Sequence, residues 1–254
     1  MKKFLMTLIA VVFATSAAFA ASSADSAALA SDAADATDAA NGTIRLAEKV
    51  ANRNFEVAGS SMTTALCTFD AVRAGIRLTT ATSDQDQAIV LPHLDTNQTA
   101  WSGVKWGTEN QVEWECSITT GSSIADVKIW AGLKLTNDQL VATDADQAFF
   151  KFQTDADNSE VFTTYTTLHF VHSIGGTDYI SDLGLTVAVD TNYHLKIIID
   201  SDRKVSAYVN GVQYSLTSTA GSTGGTTTGT GYTQSAALTN DIDLIPYIGI
   251  ETGT

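Results

Sequence analysis

Residues 194–214, HLKIIIDSDRKVSAYVNGVQY, constrain the fold of this chain more than any other stretch. Apolar and polar side chains alternate through the first half, a short polar turn follows, and a second alternating run leads to Asn210-Gly211. An Asn-Gly pair tolerates the positive φ angles of a tight hairpin turn. Because successive side chains of a strand point to opposite faces of a sheet, this stretch predicts consecutive antiparallel strands with one buried face.

Short alternating runs of this kind, separated by turn residues, continue from about residue 55 onward. No long amphipathic helix interrupts them, which is typical of a two-sheet sandwich. Roughly 200 residues are available for the fold, enough for one sandwich with a sizeable core rather than for two domains. Pro246 lies inside the last run, and because proline lacks a backbone N–H, we predict that this strand is bulged or at a sheet edge.

A separate N-terminal region precedes the predicted fold. In residues 1–20, two lysines, an apolar run and an Ala-Phe-Ala sequence follow the three-part plan of a secretory signal peptide, so we predict cleavage after Ala20. The apolar run is too short to span a bilayer and no second long run follows, so the mature protein is predicted to have no membrane span. Residues 21–52, rich in Ala, Ser and Asp, predict a flexible spacer or a short helix, and residues 53–254 the sandwich.

The charge of the chain restricts its partners. The formal net charge is −14 and the isoelectric point is near 4.4. Nucleic-acid binding through phosphates needs clustered Lys and Arg, so the sequence predicts no nucleic-acid partner. An acidic balance also disfavours an anionic membrane surface, and it suits solubility.

The two cysteines, Cys67 and Cys116, leave two interpretations open. In an exported protein they could form one disulfide. The alternative is a pair of buried free thiols, since Cys116 alternates in phase with the apolar residues of its run. No Cys/His cluster with zinc-ligand spacing is present in the sequence.

The pattern of residues 194–214, charged–apolar alternation followed by Tyr-Val-Asn-Gly, resembles the concanavalin A-like, or laminin-G-like, jelly-roll family. Five further blocks are similar to jelly-roll proteins that recur in tailed phages, especially marine ones, and are taken as virion structural, fibre or decoration components. The resemblance implies an all-β, antiparallel two-sheet jelly roll, a structural or adhesive role and no catalytic residues. The partners it implies are other structural subunits or further copies of the chain. The five blocks are residues 88–95, 101–106, 129–137, 146–150 and 244–249.

The predicted signal peptide departs from the phage pattern, because virion proteins are not normally exported by the host. The sequence therefore leaves two locations open. One is a virion, and the other is an extracellular or surface-displayed site reached by export.

Aromatic residues are the candidates for glycan binding, because a planar ring can stack on the apolar face of a pyranose. Trp130 falls on the polar side of its predicted strand next to Gly132, which predicts an accessible ring. Trp101 and Trp106 lie in a loop-like region. The alternative for each ring is packing in the core or between the sheets.

Paired aspartates are the candidates for a metal site. Asp144 with Asp146, and Asp155 with Asp157, flank one predicted strand. Calcium requires several oxygen ligands at close range, which such loops can supply, so a calcium ion is a candidate cofactor. The alternative is ordinary turn chemistry, in which aspartate caps its own backbone.

Glu113 and Glu115 are the candidates for catalysis, because some glycoside hydrolases use this fold and place paired carboxylates on one strand face. Ser117 and Thr119 occupy the next positions on that face, so a third carboxylate is missing. The leading prediction is therefore a non-enzymatic structural or adhesion module on a virion or cell surface, making protein or glycan contacts. The alternatives are a secreted, lectin-like carbohydrate-binding protein and a polysaccharide-cleaving enzyme.

Overall fold

A computed structural model describes residues 5–8, 55–58, 67–70, 75–80, 86–92, 107–135, 145–154, 166–220, 230–231 and 235–252. These ranges contain fourteen strands and a 3-10 turn at Thr108–Asn110. The strands are β1 (Leu5–Leu8), β2 (Phe55–Ala58), β3 (Cys67–Asp70), β4 (Gly75–Leu78), β5 (Gln87–Pro92), β6 (Glu113–Thr119), β7 (Val127–Lys134), β8 (Gln147–Gln153), β9 (Thr167–Ile174), β10 (Thr177–Thr186), β11 (Asn192–Ile199), β12 (Val205–Val209), β13 (Val212–Tyr214) and β14 (Ile245–Thr252).

The strands form two large sheets and a small hairpin. The seven-stranded sheet has the order β10-β9-β8-β7-β14-β5-β2, and the five-stranded sheet the order β1-β6-β11-β12-β13. The hairpin pairs β3 with β4. Neighbouring strands are antiparallel except for β1 and β6, which are parallel. The structure is an all-β jelly-roll sandwich, which confirms the predicted fold class.

The predicted hairpins of residues 194–214 are formed by β11, β12 and β13. Leu195 pairs with Val209, and Val209 in turn pairs with Val212. Asn210 and Gly211 have φ angles of 51° and 79°, as a tight turn of positive-φ residues requires. The side-chain oxygen of Asn210 also accepts a hydrogen bond of 2.9 Å from the backbone N–H of His194, which ties the turn to β11.

The main core lies between the two large sheets. Leu195, Ile197 and Ile199 of β11 are fully buried, and they share one cluster with Phe150 of β8 and Phe170 of β9. The Phe150 and Phe170 rings meet edge to face with centroids 5.1 Å apart. Burying each such side chain stabilises the fold by about 1.5–3 kcal/mol, so this layer provides the main hydrophobic driving force.

The inner strands of the seven-stranded sheet are buried on both faces, whereas the sequence predicted an accessible Trp130 on the polar side of its strand. Every residue of β8 is buried, and a second apolar cluster lies on the face turned away from the main core. β7 and β8 keep an apolar–polar alternation, but the residues on their polar side are buried as well. The second cluster contains Ile89, Leu91, Trp130, Phe149, Val171, Ile180 and Tyr247.

The prediction that Pro246 marks an edge or bulged strand is wrong, because β14 lies between β7 and β5. Pro246 pairs with Leu133 of β7, while the pairs of β14 with β5 begin at Ile248. The proline therefore lies where β14 has only one described neighbour, and its missing N–H interrupts no pairing with β5.

The N-terminal and cysteine predictions have different outcomes. β1 lies inside the segment predicted as a signal peptide, and it pairs with residues 113–116 of β6.

Cys116 is a free thiol, 1% exposed, and its burial raises its pKa well above the ordinary value. The side chain of Cys67 lies outside the described part of the chain, so the fate of the pair stays a prediction. No helix in the described ranges is long and apolar enough to cross a membrane.

Candidate functional site

The outer face of the seven-stranded sheet carries an unusual set of buried side chains, which we call the polar face. Alternation along β7, β8 and β9 directs every second residue away from the main core. Most residues on this face are charged, amide-bearing or aromatic, and those that form the polar face are all less than one-tenth exposed. The polar face consists of Gln87, Lys128, Trp130, Lys134, Gln147, Phe149, Lys151, Gln153, His169, Ser173, Asp182, Tyr247 and Glu251.

One end of the polar face is held by an ion pair across three neighbouring strands. Glu251 of β14 pairs in register with Lys128 of β7 and with Gln87 of β5. Lys128 Nζ lies 2.9 Å from Glu251 Oε1, and the amide of Gln87 donates to Glu251 Oε2. Because an unpaired charge is costly to bury, this arrangement allows both charged groups to remain inside.

The centre of the polar face combines aromatic rings with lysine ammonium groups. Lys151 Nζ lies 5.9 Å from the ring centroid of Trp130, and Lys134 Nζ lies 5.4 Å from that of Tyr247. Both distances are within the range of cation–π attraction. The ring of Phe149 lies 6.2 Å from that of Tyr247, so the aromatic surface is continuous between the two lysines.

Gly132 separates Tyr247 from Phe149 in the sheet register, and the close approach of β8 requires it. A Cβ added at Gly132 would lie 2.4 Å from the carbonyl oxygen of Ala148 and 2.5 Å from the Cα of Phe149. Backbone atoms block that position, so the neighbouring strand would have to move.

A row of ionisable residues crosses three strands beside Trp130. Lys151 of β8 pairs in register with His169 of β9, and His169 pairs with Asp182 of β10. The Nδ1 of His169 lies 2.9 Å from the carbonyl oxygen of Thr167, so the bound proton lies on Nδ1 and the lone pair on Nε2. Burial lowers the pKa of His169, partly opposed by Asp182 and by the bond to Thr167. The imidazole is therefore neutral at physiological pH.

Hydrogen-bonding groups continue the polar face toward its other end. The amide of Gln147 donates a hydrogen bond of 3.0 Å to Ser173, whose hydroxyl donates to Asp178. Asp182 accepts a bond of 2.8 Å from the N–H of Gly184, within the irregular stretch of β10. Amide, imidazole, hydroxyl and ammonium groups thus surround the aromatic centre, which is the composition expected of a polar-ligand site.

The glycan-binding candidates have separate outcomes. Trp130 lies on the predicted side of its strand, but its side chain is 3% exposed rather than accessible. Trp101 and Trp106 lie outside the described residues. The sequence analysis missed Lys128, Lys134, Lys151 and His169, although simple alternation along β7, β8 and β9 places these positions on one face.

The metal candidates are described only at Asp146, which is 5% exposed. One of its carboxylate oxygens accepts a hydrogen bond of 3.3 Å from Gly175 N and another from the Thr239 hydroxyl. Both donors are distant in the sequence, so these bonds are not the local backbone capping that was the alternative to calcium binding, and calcium binding stays a prediction. Asp144, Asp155 and Asp157 lie outside the described residues. Where side chains are described, no group of three His, Cys, Asp or Glu is placed to hold a metal ion.

The catalytic candidates Glu113 and Glu115 lie on the outer face of the five-stranded sheet, away from the polar face. Both bind Lys196 of β11, Glu115 at 3.1 Å, and His194 Nε2 lies 3.9 Å from Glu115. Burial alone would lower the pKa of Lys196, but its hydrogen bonds and attraction to the two carboxylates raise it. The lysine therefore stays protonated between the two groups, and no described third carboxylate joins them.

No family model matches the chain, and no curated protein matches it. Solved structures do match over most of its length. The carbohydrate-binding module CBM66 from Bacillus subtilis is 9% identical with a TM-score of 0.41, covering 78% of this chain and 92% of that one. The potassium-bound carbohydrate recognition domain of Emp46p is 5% identical with a TM-score of 0.49, covering 81% and 84%. Alginate lyase A1-II′, of polysaccharide lyase family 7, is 12% identical with a TM-score of 0.39, covering 80% and 96%.

This likeness concerns the fold, and it corrects one prediction. The inference that the chain is not an enzyme is contradicted at the level of the fold, because several of the matched structures are alginate lyases. Carbohydrate-binding domains and polysaccharide lyases occur side by side among the matched structures. The matched structures give no support to the phage resemblance.

Proposed function

We propose that the protein binds carbohydrate on the polar face of its seven-stranded sheet. The observation that carries this proposal is the pairing of two aromatic rings, Trp130 and Tyr247, each with a lysine ammonium within 6 Å. A sugar ring offers an apolar face for stacking and a rim of hydroxyl groups that donate and accept hydrogen bonds. The polar face holds both kinds of partner within a few residues of each other, and because all are less than one-tenth exposed, sugar binding requires them to become exposed.

The charge of the central groups favours a carbohydrate that bears carboxylate groups. Lys134 and Lys151 place two ammonium groups at the aromatic centre. In a chain with a net charge of −14, such lysines are the natural partners of an anionic ligand. Neutral sugars remain able to use the rings and the amide groups.

The test is a glycan array followed by calorimetric titration of the strongest ligand, an acidic polysaccharide by this account. Lys151→Met keeps the length of the side chain and removes its charge, so we expect affinity to fall about tenfold or more. Lys196→Met is the matched control, because Lys196 lies on the outer face of the other sheet. Binding to no glycan, or equal affinities of the two variants, would contradict the proposal.

The buried polar face could instead only stabilise the fold, as a second packed layer. The effect of Lys151→Met on the free energy of unfolding distinguishes this structural role from a binding role. In a structural layer, Lys151→Met would change the free energy of unfolding and nothing else. In a binding site, the variant melts close to the wild type but loses affinity. Thermal melts of Lys151→Met and Lys196→Met, recorded on the titrated samples, decide between them.

A second candidate function, cleavage of a uronate-containing polysaccharide, is favoured by the row of Lys151, His169 and Asp182. The neutral imidazole carries its lone pair on Nε2, beside an ammonium group suited to a substrate carboxylate. In the reaction, His169 Nε2 takes the C5 proton of the uronate and the C4–O bond breaks. A C4=C5 double bond forms, and the leaving oxygen takes a proton from water.

This reaction leaves an unsaturated sugar that absorbs ultraviolet light. We expect absorbance to rise when the protein is incubated with polyuronates, and to stay flat with His169→Gln. His194→Gln, a half-exposed histidine on the other sheet, is the matched control and keeps the activity. Binding without absorbance would leave the protein a carbohydrate-binding module and exclude the cleavage function.

We further propose that the protein acts outside the cell, displayed on a surface or particle. The support is the sequence of residues 1–20, with its lysines, short apolar run and Ala-Phe-Ala end. N-terminal peptide mapping of the protein from soluble, surface and particle fractions tests this. A mature start at Ala21 supports export, and an intact Met1 in every fraction contradicts it.

Calcium binding at the paired aspartates stays a prediction. Thermal melts with and without a chelator test it.

A further inference from the structure

We propose that His172 makes the pairing of β9 with the edge strand β10 sensitive to acid, and that carbohydrate on the polar face is released when this pair opens. The second half of this inference rests on the proposed function. The first half concerns the fold alone and can be tested without a ligand.

His172 is buried in a way that satisfies neither of its ring nitrogens. It is fully buried on β9 and faces the main core, since its neighbours along the strand alternate with those of the polar face. Neither Nδ1 nor Nε2 has a hydrogen-bond partner. The ring stacks on Tyr179 of β10, with centroids 4.8 Å apart and planes 16° from parallel. Packing alone therefore holds this imidazole.

No described anion is placed to receive an imidazolium at this position. Tyr179 on β10 and Ala148 on β8 are the register neighbours of His172. Asp146, two residues before Ala148, already accepts bonds from Gly175 and Thr239. The facing members of the core cluster are apolar residues, cysteine and tyrosine.

The remaining charged groups of these strands lie on the opposite face of the sheet. They are Lys151 on β8, His169 on β9, and Asp178 and Asp182 on β10. Burial with no compensating charge lowers the pKa of His172 to about 4. The folded strand pair thus resists protonation down to that pH.

An opened strand pair would expose His172 to water and restore an ordinary pKa near 6.5. Between about pH 6.5 and 4 the opened state binds a proton that the closed state does not, so acid favours opening. β10 is an edge strand and can separate without breaking the centre of the sheet. β9 and β10 also carry His169, Ser173 and Asp182 of the polar face, so opening removes part of the binding surface.

Amide hydrogen exchange of the ligand-free protein at about pH 7.5 and about pH 5 tests the first half. After correction for intrinsic exchange rates, we expect protection of β9 and β10 to fall about 30-fold at the lower pH. β7, β11 and β12 should keep theirs. In His172→Phe, which preserves the aromatic stack, the pH dependence of β9 and β10 should disappear; His172→Leu serves if the first variant does not fold. His194→Phe is the control and should behave as the wild type.

Either of two exchange results would overturn the inference: a loss of protection spread evenly over both sheets, or the same pH dependence in wild type and His172→Phe. Carbohydrate titration at the two pH values tests the second half. We expect the wild type to lose affinity at about pH 5 and His172→Phe to retain it. If no glycan binds at either pH, the proposed function fails while the exchange result still decides the role of His172.

Discussion

Lys128 and Glu251 form a buried ion pair between the two central strands of the seven-stranded sheet, with their side chains only 3% and 8% exposed. The Gln87 amide adds a hydrogen bond to the second carboxylate oxygen. An ion pair in this position contributes little net stability, but the loss of one partner leaves a buried charge without compensation.

Removal of one partner should therefore destabilise the fold strongly. We expect Glu251→Leu to lower the free energy of unfolding by about 3–5 kcal/mol, measured by urea denaturation. The double variant Lys128→Met with Glu251→Leu should recover much of that loss, because no unpaired charge remains. Lys196→Met, which breaks ion pairs whose side chains are 14–28% exposed, should cost no more than about 1 kcal/mol. Equal losses in the single and double variants would contradict this account.

A methyl group at Gly132 should be poorly tolerated. The added Cβ would lie within 2.5 Å of backbone atoms of β8, so Gly132→Ala must push β7 and β8 apart in the middle of the polar face. We expect a loss of about 2 kcal/mol or more in the free energy of unfolding. Gly175→Ala is the control, because the space around its added Cβ is open. Its φ of 55° is left-handed, so the substitution should cost only the strain of that backbone conformation, about 1 kcal/mol. A smaller loss at Gly132 than at Gly175 would contradict the close approach.

The stability of the protein should depend on pH through His172. The folded-state pKa, about 4, lies below the unfolded value near 6.5, so its contribution is complete above about pH 6.5 and declines as the pH falls. The decline between about pH 6.5 and 4 amounts to as much as about 3 kcal/mol. Urea denaturation at several pH values should show a shallower decline in His172→Phe. Parallel curves for the two proteins would exclude His172 as the cause.

The sandwich should fold without β1. This strand has four residues, lies at the edge of the five-stranded sheet and falls within the predicted signal peptide. We expect the chain starting at Ala21 to melt within a few degrees of the full chain, as for a loss of less than about 1 kcal/mol. A large drop in melting temperature would mean that β1 belongs to the mature fold and would count against cleavage after Ala20.

The positions of the strands could be predicted from the sequence better than their order in the sheets or the burial of their two faces. The hairpins around Asn210-Gly211 were predictable because their turn chemistry and alternation are local properties. The position of Pro246 in a central strand was not, because strand order depends on contacts distant in sequence. Trp130 was assigned to the correct side of β7, but its burial arises from both faces of the sheet being covered. From the sequence, Lys128, Lys134 and Lys151 would be expected to face solvent, because local alternation does not show that both faces of this sheet are buried.

The most direct measurement of the central claim uses two tryptophans in one spectrum. Trp130 lies on the polar face, whereas Trp114 faces the main core from the other sheet, so their indole N–H resonances report on the two sides of the seven-stranded sheet. Because the chain has four tryptophans, we would assign the two resonances with Trp130→Phe and Trp114→Phe and titrate ¹⁵N-labelled protein with the glycan selected by the array. The account predicts a shift of the Trp130 resonance with Trp114 unchanged. Saturable glycan binding that leaves Trp130 unshifted would place the binding site elsewhere and contradict the account.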